Sequence, residues 1–263
     1  MVTNGIHLDI RTAGHGDPVV LLHGWPHTHR VWDPIVAALA ADHLVITPDL
    51  RGLGASERPA DGYDLDTLAG DVMGVLDGLG LPTAKIVGID LGGPIAFMTA
   101  LREPHRISRL VVMEALIGTL PGAGKISPWW FGFHAVPGLP ATVLAGHERE
   151  YLDFFYRSGT LGRGIPPEIR DAFVEAYTGV DVFHHYRAMP GNAALISDAV
   201  QRHRLTVPTA TIGGATVGDS TFRQLEPITD TLESHLIPDG GHILPLDRPD
   251  ELLNILVPFL GHP

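Results

Sequence analysis

The chain has 263 residues and no cysteine, and its 18 basic and 30 acidic side chains give a formal net charge of −12. This charge disfavours non-specific binding to nucleic acid or to anionic membranes, because both of those surfaces are negatively charged themselves. The lack of cysteine excludes disulfides, thiolate nucleophiles and cysteine-ligated metals.

The length and the first residues set further bounds. A chain of 263 residues can bury a sizeable core, and one α/β domain with an insertion fits this length better than two independent domains. The start, MVTNGIHLDI, has neither a basic nor an apolar region of the kind that directs export, and no apolar run approaches the length of a membrane span. We therefore expect a soluble, cytoplasmic monomer or homodimer.

Strands and helices alternate through the first half of the chain. Ile6 to Thr12 alternates like an early strand, and residues 18–22 form a compact apolar strand that runs into HGWPHTH. The pattern then predicts helices at 31–41, 67–79 and 94–101 and strands at 43–47 and 84–87. This alternation predicts a doubly wound, mostly parallel sheet, in which ligands gather at the carboxyl ends of the strands.

A segment of different character interrupts this alternation. From about 118 to 205 the sequence has aromatic, helix-like stretches with glycine and proline breaks and no strand pattern, which predicts an inserted helical lid. The later core elements are predicted strands at 110–113, 209–212 and 234–238 and a closing helix at 251–260. We therefore expect a core domain of residues 1–117 and 206–263 and a lid of residues 118–205.

The stretch GIDLGG, from Gly88 to Gly93, stands between a predicted strand and a predicted helix. A tight turn at this point strains its central residue, Asp90, and brings its neighbours close together, which is a steric reason for glycine on both sides. Aspartate is also a favoured helix N-cap, but a cap alone does not require flanking glycines. The pattern therefore favours a functional carboxylate at Asp90.

Four motifs follow one another in a characteristic order: HGWP, DLRGLGAS, GIDLGG and, near the end, DGGHILPLDRPDELL. Together they resemble the α/β-hydrolase fold superfamily over nearly the whole chain, and the aspartate in GIDLGG resembles its epoxide hydrolase and dehalogenase branch. The resemblance implies a hydrolase that acts on a small molecule. We expect it to need no cofactor.

In this branch the aspartate attacks a saturated carbon of the substrate, displaces its leaving group and forms an alkyl-enzyme ester. The resemblance therefore implies that Asp90 is the nucleophile. His242, after a last-strand segment and a glycine-rich loop, is the candidate base that activates the hydrolytic water. The oxyanion hole for the ester would consist of the backbone N–H groups of Leu91 and Trp25. Pro26 lacks an N–H, and its fixed φ should help to turn Trp25 toward the site.

Two carboxylates compete to orient His242. Glu114 follows the strand after the turn, 24 residues beyond Asp90, which resembles fluoroacetate dehalogenases and related epoxide hydrolases. Asp219 follows the next core strand, where other members carry the acid, but the loop GGATVGDS is longer than the usual turn. We favour Glu114.

Opening an epoxide generates an alkoxide, which a donor in the lid must hydrogen-bond or protonate. The resemblance places such donors in PWWFGF and HHYRA, and we expect Tyr186 to be the acid. Trp130 stands where similar enzymes carry histidine, and its indole N–H can donate a hydrogen bond but cannot give up its proton. Trp129 is expected either to contact substrate or to pack within the lid, and His23 and Pro26 are expected to contact substrate.

The substrate class follows from Leu91. Haloacetate dehalogenases carry an arginine after the nucleophile and haloalkane dehalogenases carry a tryptophan there, so leucine favours an apolar or aromatic epoxide. The alternatives are a dehalogenase with the same nucleophile and a ligand-binding homologue without catalysis. Neither Ser56 nor Ser220 lies in a nucleophile turn.

The chain has 15 histidines, so most must be structural or lie on the surface. The pair that most resembles a metal site is His27 and His29, next to the HGWP motif. No further ligand is in view beside it, and we expect no metal.

Overall fold

The central sheet of the computed structural model has seven strands among the residues that it describes, 1–123 and 128–261. The strands are β1 (Val2–Thr3), β2 (Ile6–His7), β3 (Ile10–Ala13), β4 (Asp17–Leu22), β5 (His43–Pro48), β6 (Ala84–Ile89), β7 (Ile107–Met113), β8 (Thr209–Gly213) and β9 (Leu232–Leu236). Their order across the sheet is β3-β5-β4-β6-β7-β8-β9, while β1 and β2 form a separate two-stranded sheet. β3 runs antiparallel to β5, and the other pairs are parallel.

Helices cover both the sheet and its carboxyl edge. They are α1 (Asp33–Leu39), α2 (Leu65–Gly78), α3 (Gly92–Arg102), α4 (Trp129–Ala135), α5 (Leu139–Leu144), α6 (Glu148–Ser158), α7 (Pro167–Tyr177), α8 (His184–Arg202), α9 (Ser220–Leu225), α10 (Leu244–Asp247) and α11 (Pro249–Gly261). In the described ranges no helix is both long enough and apolar enough to cross a membrane. The alternation of strands and helices around a mostly parallel sheet confirms the predicted fold class.

β6 lies in the middle of the sheet between β4 and β7, and each of its six residues is buried. A parallel strand that is covered on both faces needs a continuous apolar run, which explains the sequence of this strand. The register aligns Val87 with Leu21 of β4 and with Val111 of β7. The carboxyl ends of these three strands therefore meet at one edge of the sheet.

The single strand predicted from Ile6 to Thr12 is wrong, since two strands occupy this segment. The backbone of the intervening residues makes other hydrogen bonds: Leu8 N–H donates to the carbonyl of Met1, and Asp9 N–H donates to Ser56 Oγ. These bonds separate β2 from β3. Alternation of side chains cannot detect such a break, because it does not show where the backbone hydrogen bonds go.

Five helices, α4 to α8, stand between β7 and β8 in the chain, and the described residues 128–202 contain no strand. Hydrogen bonds tie these helices to the sheet domain: Tyr156 Oη donates to the Pro26 carbonyl at 3.2 Å, and His185 Nε2 donates to the Arg51 carbonyl at 2.8 Å. Residues 124–127 of the predicted lid and 262–263 of the predicted core lie outside the described residues.

Candidate active site

The turn between β6 and α3 carries Asp90 with a φ of 52°, in the left-handed region. A side chain on Gly88 would overlap the carbonyl of Gly92, and one on Gly92 would overlap the carbonyl of Leu22. The glycines therefore let the turn pack against the end of β4. Their packing holds Asp90 in a conformation that non-glycine residues seldom adopt.

Two backbone N–H groups face the Asp90 carboxylate. Trp25 N–H donates to Asp90 Oδ1 at 2.8 Å, and the Leu91 N–H contributes to lowering the pKa of the Asp90 carboxyl group. The Trp25–Pro26 peptide bond is cis. The loop after β4 thus brings the Trp25 N–H to the carboxylate, and the second N–H is that of Leu91, directly before α3.

His242 lies between two carboxylates. Its Nε2 is 3.3 Å from Asp90 Oδ2, and its Nδ1 is 3.0 Å from Glu114 Oε2. The side chains of His242 and Asp90 each keep 22% exposure, whereas that of Glu114 is fully buried. A small molecule can therefore reach the first two groups while the third supports them from inside the protein.

Glu114 is itself held in place by the backbone. Its φ is 44°, and its Oε1 accepts N–H groups from Gly214 at 2.5 Å and Val217 at 3.2 Å. The competing carboxylate, Asp219, is half-exposed and forms an ion pair with Arg223 on α9. The structure therefore brings Glu114, and not Asp219, to His242.

The charges of these groups reinforce one another. Burial lowers the pKa of His242, but its hydrogen bonds to Asp90 and Glu114, together with their negative charges, outweigh burial and raise this pKa to about 10. Burial raises the pKa of Asp90, but the hydrogen bond from His242 and the Leu91 N–H outweigh it, so that this pKa is below its ordinary value. At neutral pH the resting site is an ion pair of carboxylate and imidazolium.

Tyr186, from α8, is buried beside these groups. Its ring packs edge-on against the Trp25 indole, with ring centroids 5.6 Å apart. Burial, with a contribution from the negative charge of Asp90, raises the pKa of Tyr186 well above its ordinary value. This phenol therefore keeps its proton at neutral pH and can donate a hydrogen bond.

The two tryptophans of α4 differ in placement. Trp130 is half-buried and packs edge-on against Phe155, with centroids 5.3 Å apart, so it borders the aromatic cluster that contains Trp25. Trp129 is 60% exposed and its ring contacts that of Phe154. This contact agrees with packing among these helices, and a contact between Trp129 and substrate stays a prediction.

His23 is also placed differently from expectation. Its side chain is fully buried, its Nδ1 donates to the Gly24 carbonyl at 2.8 Å, and its Nε2 accepts the Leu50 N–H at 3.1 Å. Both ring nitrogens are therefore occupied, and the predicted substrate contact by His23 is wrong. Pro26 is buried under Tyr156 and fixes the loop to α6.

The candidate metal pair does not converge on one point. His27 is fully buried with neither ring nitrogen hydrogen-bonded, whereas His29 Nδ1 lies 3.0 Å from Asp49 Oδ1. His29, Asp49 and Asp9 do place ligand-type atoms within 4.8 Å of one another. The Asp49 oxygens, however, accept backbone N–H groups of His29 and Ala55, so hydrogen bonds account for this group.

The sequence analysis missed His134, which is fully buried on α4. Its Nε2 is 2.6 Å from Tyr151 Oη, and its ring lies 4.4 Å from that of Tyr186 and 4.6 Å from that of Trp25. Burial lowers its pKa to about 3. The one available signal was its position four residues after Trp130, on the same face of a helix.

Comparison with known proteins agrees with this architecture. The family described as alpha/beta hydrolase fold matches residues 17–161, more than half of the chain, and the protein belongs to this family. A relative named soluble epoxide hydrolase, from Corynebacterium sp. (strain C12), is 28% identical over 98% of this chain and 95% of its own length.

Two solved structures extend the likeness to three dimensions. Cfl2 from Burkholderia cenocepacia superposes with a TM-score of 0.92 at 28% identity, covering 99% of this chain and 94% of its own. The epoxide hydrolase CorEH superposes with a TM-score of 0.88 at 28% identity, covering 98% of this chain and 96% of its own.

Proposed function

We propose that the protein is an epoxide hydrolase that converts an apolar or aromatic epoxide to a vicinal diol through an ester on Asp90. One observation carries the proposal: the Asp90 carboxylate is bonded by the Trp25 N–H on one oxygen and faces His242 with the other. Full-length relatives that are named epoxide hydrolases support the same activity.

In the first half-reaction Asp90 Oδ2 attacks a ring carbon, and the carbon–oxygen bond of the epoxide breaks. The low pKa of Asp90 keeps this nucleophile ionised. The ring oxygen takes the proton of Tyr186, whose Oη is the proposed acid, and the Trp130 indole N–H would supply the second hydrogen bond.

The ester changes the state of His242. Its high pKa depends on the hydrogen bond and the charge of Asp90, and esterification removes that charge. The pKa of His242 then falls, its proton leaves and restores the Tyr186 phenol, and the neutral imidazole becomes a base. Glu114 remains to orient it through Nδ1.

In the second half-reaction His242 takes a proton from water, which attacks the Asp90 carbonyl carbon. Negative charge then develops on Oδ1, where the N–H groups of Trp25 and Leu91 stabilise it. The diol oxygen leaves with the proton from His242, and the new Asp90 carboxyl group returns its own proton to His242. The resting ion pair is thereby regenerated.

The helical segment within residues 118–205 is proposed to act as the lid of this site. Tyr186 from α8, Phe155 from α6 and His134 from α4 all pack on the Trp25 indole. These rings exclude water from the reacting atoms and favour an uncharged substrate. Leu91 supplies no charge for a substrate carboxylate.

The first test is to incubate wild type, His242→Gln and Asp90→Asn with styrene oxide and to follow diol formation and intact protein mass. We expect diol from the wild type and, in His242→Gln, an adduct of the mass of the intact epoxide on the peptide that contains Asp90. Asp90→Asn should form neither. If the protein released halide from a haloalkane but did not react with epoxides, we would assign it as a dehalogenase instead. No reaction with either substrate would contradict the proposal.

A further inference from the structure

The loop after β4 is held by hydrogen bonds from two helices. Tyr156 Oη of α6 donates to the Pro26 carbonyl at 3.2 Å, and Tyr177 Oη of α7 donates to the next carbonyl along the loop, that of His27. Both tyrosine side chains are buried. The two residues directly after Trp25 are therefore fixed by helices that carry none of the proposed reacting groups.

Burial makes these two hydroxyls dependable donors. It raises the pKa of Tyr156 and of Tyr177 well above the ordinary value, so that each phenol keeps its proton. The ring of Phe173 packs against those of Tyr156 and His27, with centroids 5.8 and 5.7 Å away. Helix and loop thus meet through a packed contact, in which a buried carbonyl without a donor would be costly.

Three hydrogen bonds in series run from Tyr156 to the proposed nucleophile. They are, in order, Tyr156 Oη to the Pro26 carbonyl at 3.2 Å, His27 N–H to the Gly24 carbonyl at 3.0 Å, and Trp25 N–H to Asp90 Oδ1 at 2.8 Å. The Pro26 carbonyl and the His27 N–H belong to one planar peptide unit, and the Gly24 carbonyl and the Trp25 N–H belong to another. The orientation of the last N–H therefore depends on the first hydroxyl through two rigid planes.

The series also affects how strongly the Trp25 N–H donates. A carbonyl that accepts a hydrogen bond polarises the N–H of its own peptide unit, and bonds in series strengthen one another by about 10–30% each. The Trp25 N–H is one of the two donors proposed to stabilise the negative charge on Asp90 Oδ1 while the ester is hydrolysed. The series should therefore matter in the second half-reaction, and not in the attack on the epoxide, during which Oδ1 gains no charge.

We propose that Tyr156 is a positioning residue: through two peptide units it holds the Trp25 N–H on Asp90 Oδ1 and thereby speeds hydrolysis of the ester. The inference rests on the proposed epoxide hydrolase function for its link to catalysis. His23 Nδ1 also donates to the Gly24 carbonyl, at 2.8 Å, so loss of the Tyr156 hydroxyl would loosen this arrangement without releasing it. The expected effect is therefore smaller than the loss of about 10² to 10³ that follows removal of an oxyanion donor itself.

The kinetic test compares two variants that each lose one hydroxyl. Tyr63→Phe is the matched control for Tyr156→Phe, because the buried Tyr63 also donates to a proline carbonyl, that of Pro59 at 2.9 Å. With styrene oxide, Tyr156→Phe should slow hydrolysis of the ester by about tenfold and keep the rate of ester formation within about twofold, while Tyr63→Phe should keep both rates within about twofold. Rapid quenching followed by intact protein mass measures the two rates separately. Unchanged hydrolysis in Tyr156→Phe, or equal slowing of both steps, would overturn the proposal.

Two further variants sharpen the test. Replacing Tyr156 with 4-aminophenylalanine keeps a weaker N–H donor in place of the hydroxyl, so its rate of ester hydrolysis should lie between those of wild type and Tyr156→Phe. If Tyr156→Phe does not fold, this variant should still hydrolyse the ester more slowly than wild type. Tyr177→Phe removes a bond to the same loop that lies outside the series, and it should slow hydrolysis less than Tyr156→Phe. An equal or larger loss in Tyr177→Phe would overturn the assignment.

The hold on the Trp25 N–H can be measured without any substrate. Exchange of this amide hydrogen, followed by NMR, should be about tenfold faster in Tyr156→Phe than in wild type and unchanged in Tyr63→Phe. If wild type opened no epoxide while the exchange responded in this way, the proposed function would fail and the positioning role would stand. If wild type formed diol but neither hydrolysis nor exchange responded to Tyr156→Phe, the positioning role would fail and the proposed function would stand.

Discussion

Glu114 and Asp219 are chemically equivalent candidates that the fold separates. The backbone at Glu114, with its left-handed φ, directs the carboxylate inward, where N–H groups of Gly214 and Val217 hold one oxygen and His242 contacts the other. Asp219 instead forms an ion pair with Arg223, one helical turn away. A carboxylate that is buried and bonded in this way can orient an imidazole throughout a reaction.

The first prediction concerns this pair. Glu114→Gln should lower kcat by about 10³ to 10⁴, because it removes the charge that orients His242, and the ester on Asp90 should accumulate. Asp219→Asn, the matched control, should keep kcat within about twofold, since its carboxylate is half-exposed. Equal losses in the two variants would contradict the proposed role of Glu114.

The second prediction concerns the two proposed donors to the substrate oxygen, Tyr186 and Trp130. Tyr186→Phe should slow ester formation by about 10² to 10⁴, because the alkoxide would lose its proposed general acid. Trp130→Phe should slow it less, since an indole N–H only donates a hydrogen bond. Both rates can be followed by protein mass in a His242→Gln background, and a larger loss for Trp130→Phe would reverse the two assignments.

The turn between β6 and α3 shows how an element positions a side chain through steric limits. Gly92 begins α3 directly against the carbonyl of Leu22 at the end of β4. Gly191, within α8, has open space at the place where its Cβ would lie: among the described residues, no atom beyond its chain neighbours and the backbone of its own helix is within 4 Å. The same substitution should therefore have opposite effects in the two helices.

We expect Gly92→Ala to lower the free energy of unfolding by about 1 to 3 kcal/mol, because its methyl group would overlap backbone that cannot move freely. Gly191→Ala should raise it by up to about 1 kcal/mol through helix propensity. Urea unfolding followed by circular dichroism measures both. If Gly92→Ala were as stable as wild type, the backbone at the end of β4 would be able to shift and accommodate the methyl group.

Buried histidines distributed over the whole molecule determine how its stability depends on pH. Burial lowers the pKa of His27 and His134 to about 3 and that of His185 to about 4. In the unfolded chain a histidine has a pKa of about 6.5, so between these values the unfolded state binds more protons. Their contribution is complete above pH 6.5 and is lost as the pH falls toward 3. His242 acts in the opposite sense: with its pKa raised to about 10, its contribution is complete below about pH 6.5 and is lost as the pH rises.

We therefore expect the free energy of unfolding to be greatest near neutral pH and to fall on both sides. Each buried histidine that protonates on unfolding contributes a slope of about 1.4 kcal/mol per pH unit on the acid side. His134→Phe should reduce the acid slope by about that amount, measured by urea unfolding between pH 4.5 and 6. An unchanged slope in this variant would mean that His134 is not neutral in the folded protein.

The sequence by itself predicted the alternation of strands and helices and the turn at Asp90, because local periodicity and the steric limits of neighbouring residues express both directly. The family was indicated by the resemblance of four motifs and their order. The sequence could not show that Leu8 and Asp9 interrupt the first strand, because their backbone partners, Met1 and Ser56, cannot be identified from side-chain alternation.

Only the tertiary structure decided which side chains meet at the site. Glu114 is 128 residues from His242 along the chain, and the N–H groups that hold it are about 100 residues away. The burial of His23 and His134 and the exposure of Trp129 likewise depend on how helices from distant parts of the chain pack. Residues of the same type therefore differ in burial and in hydrogen-bond partners, because both are properties of the folded chain and not of its local sequence pattern.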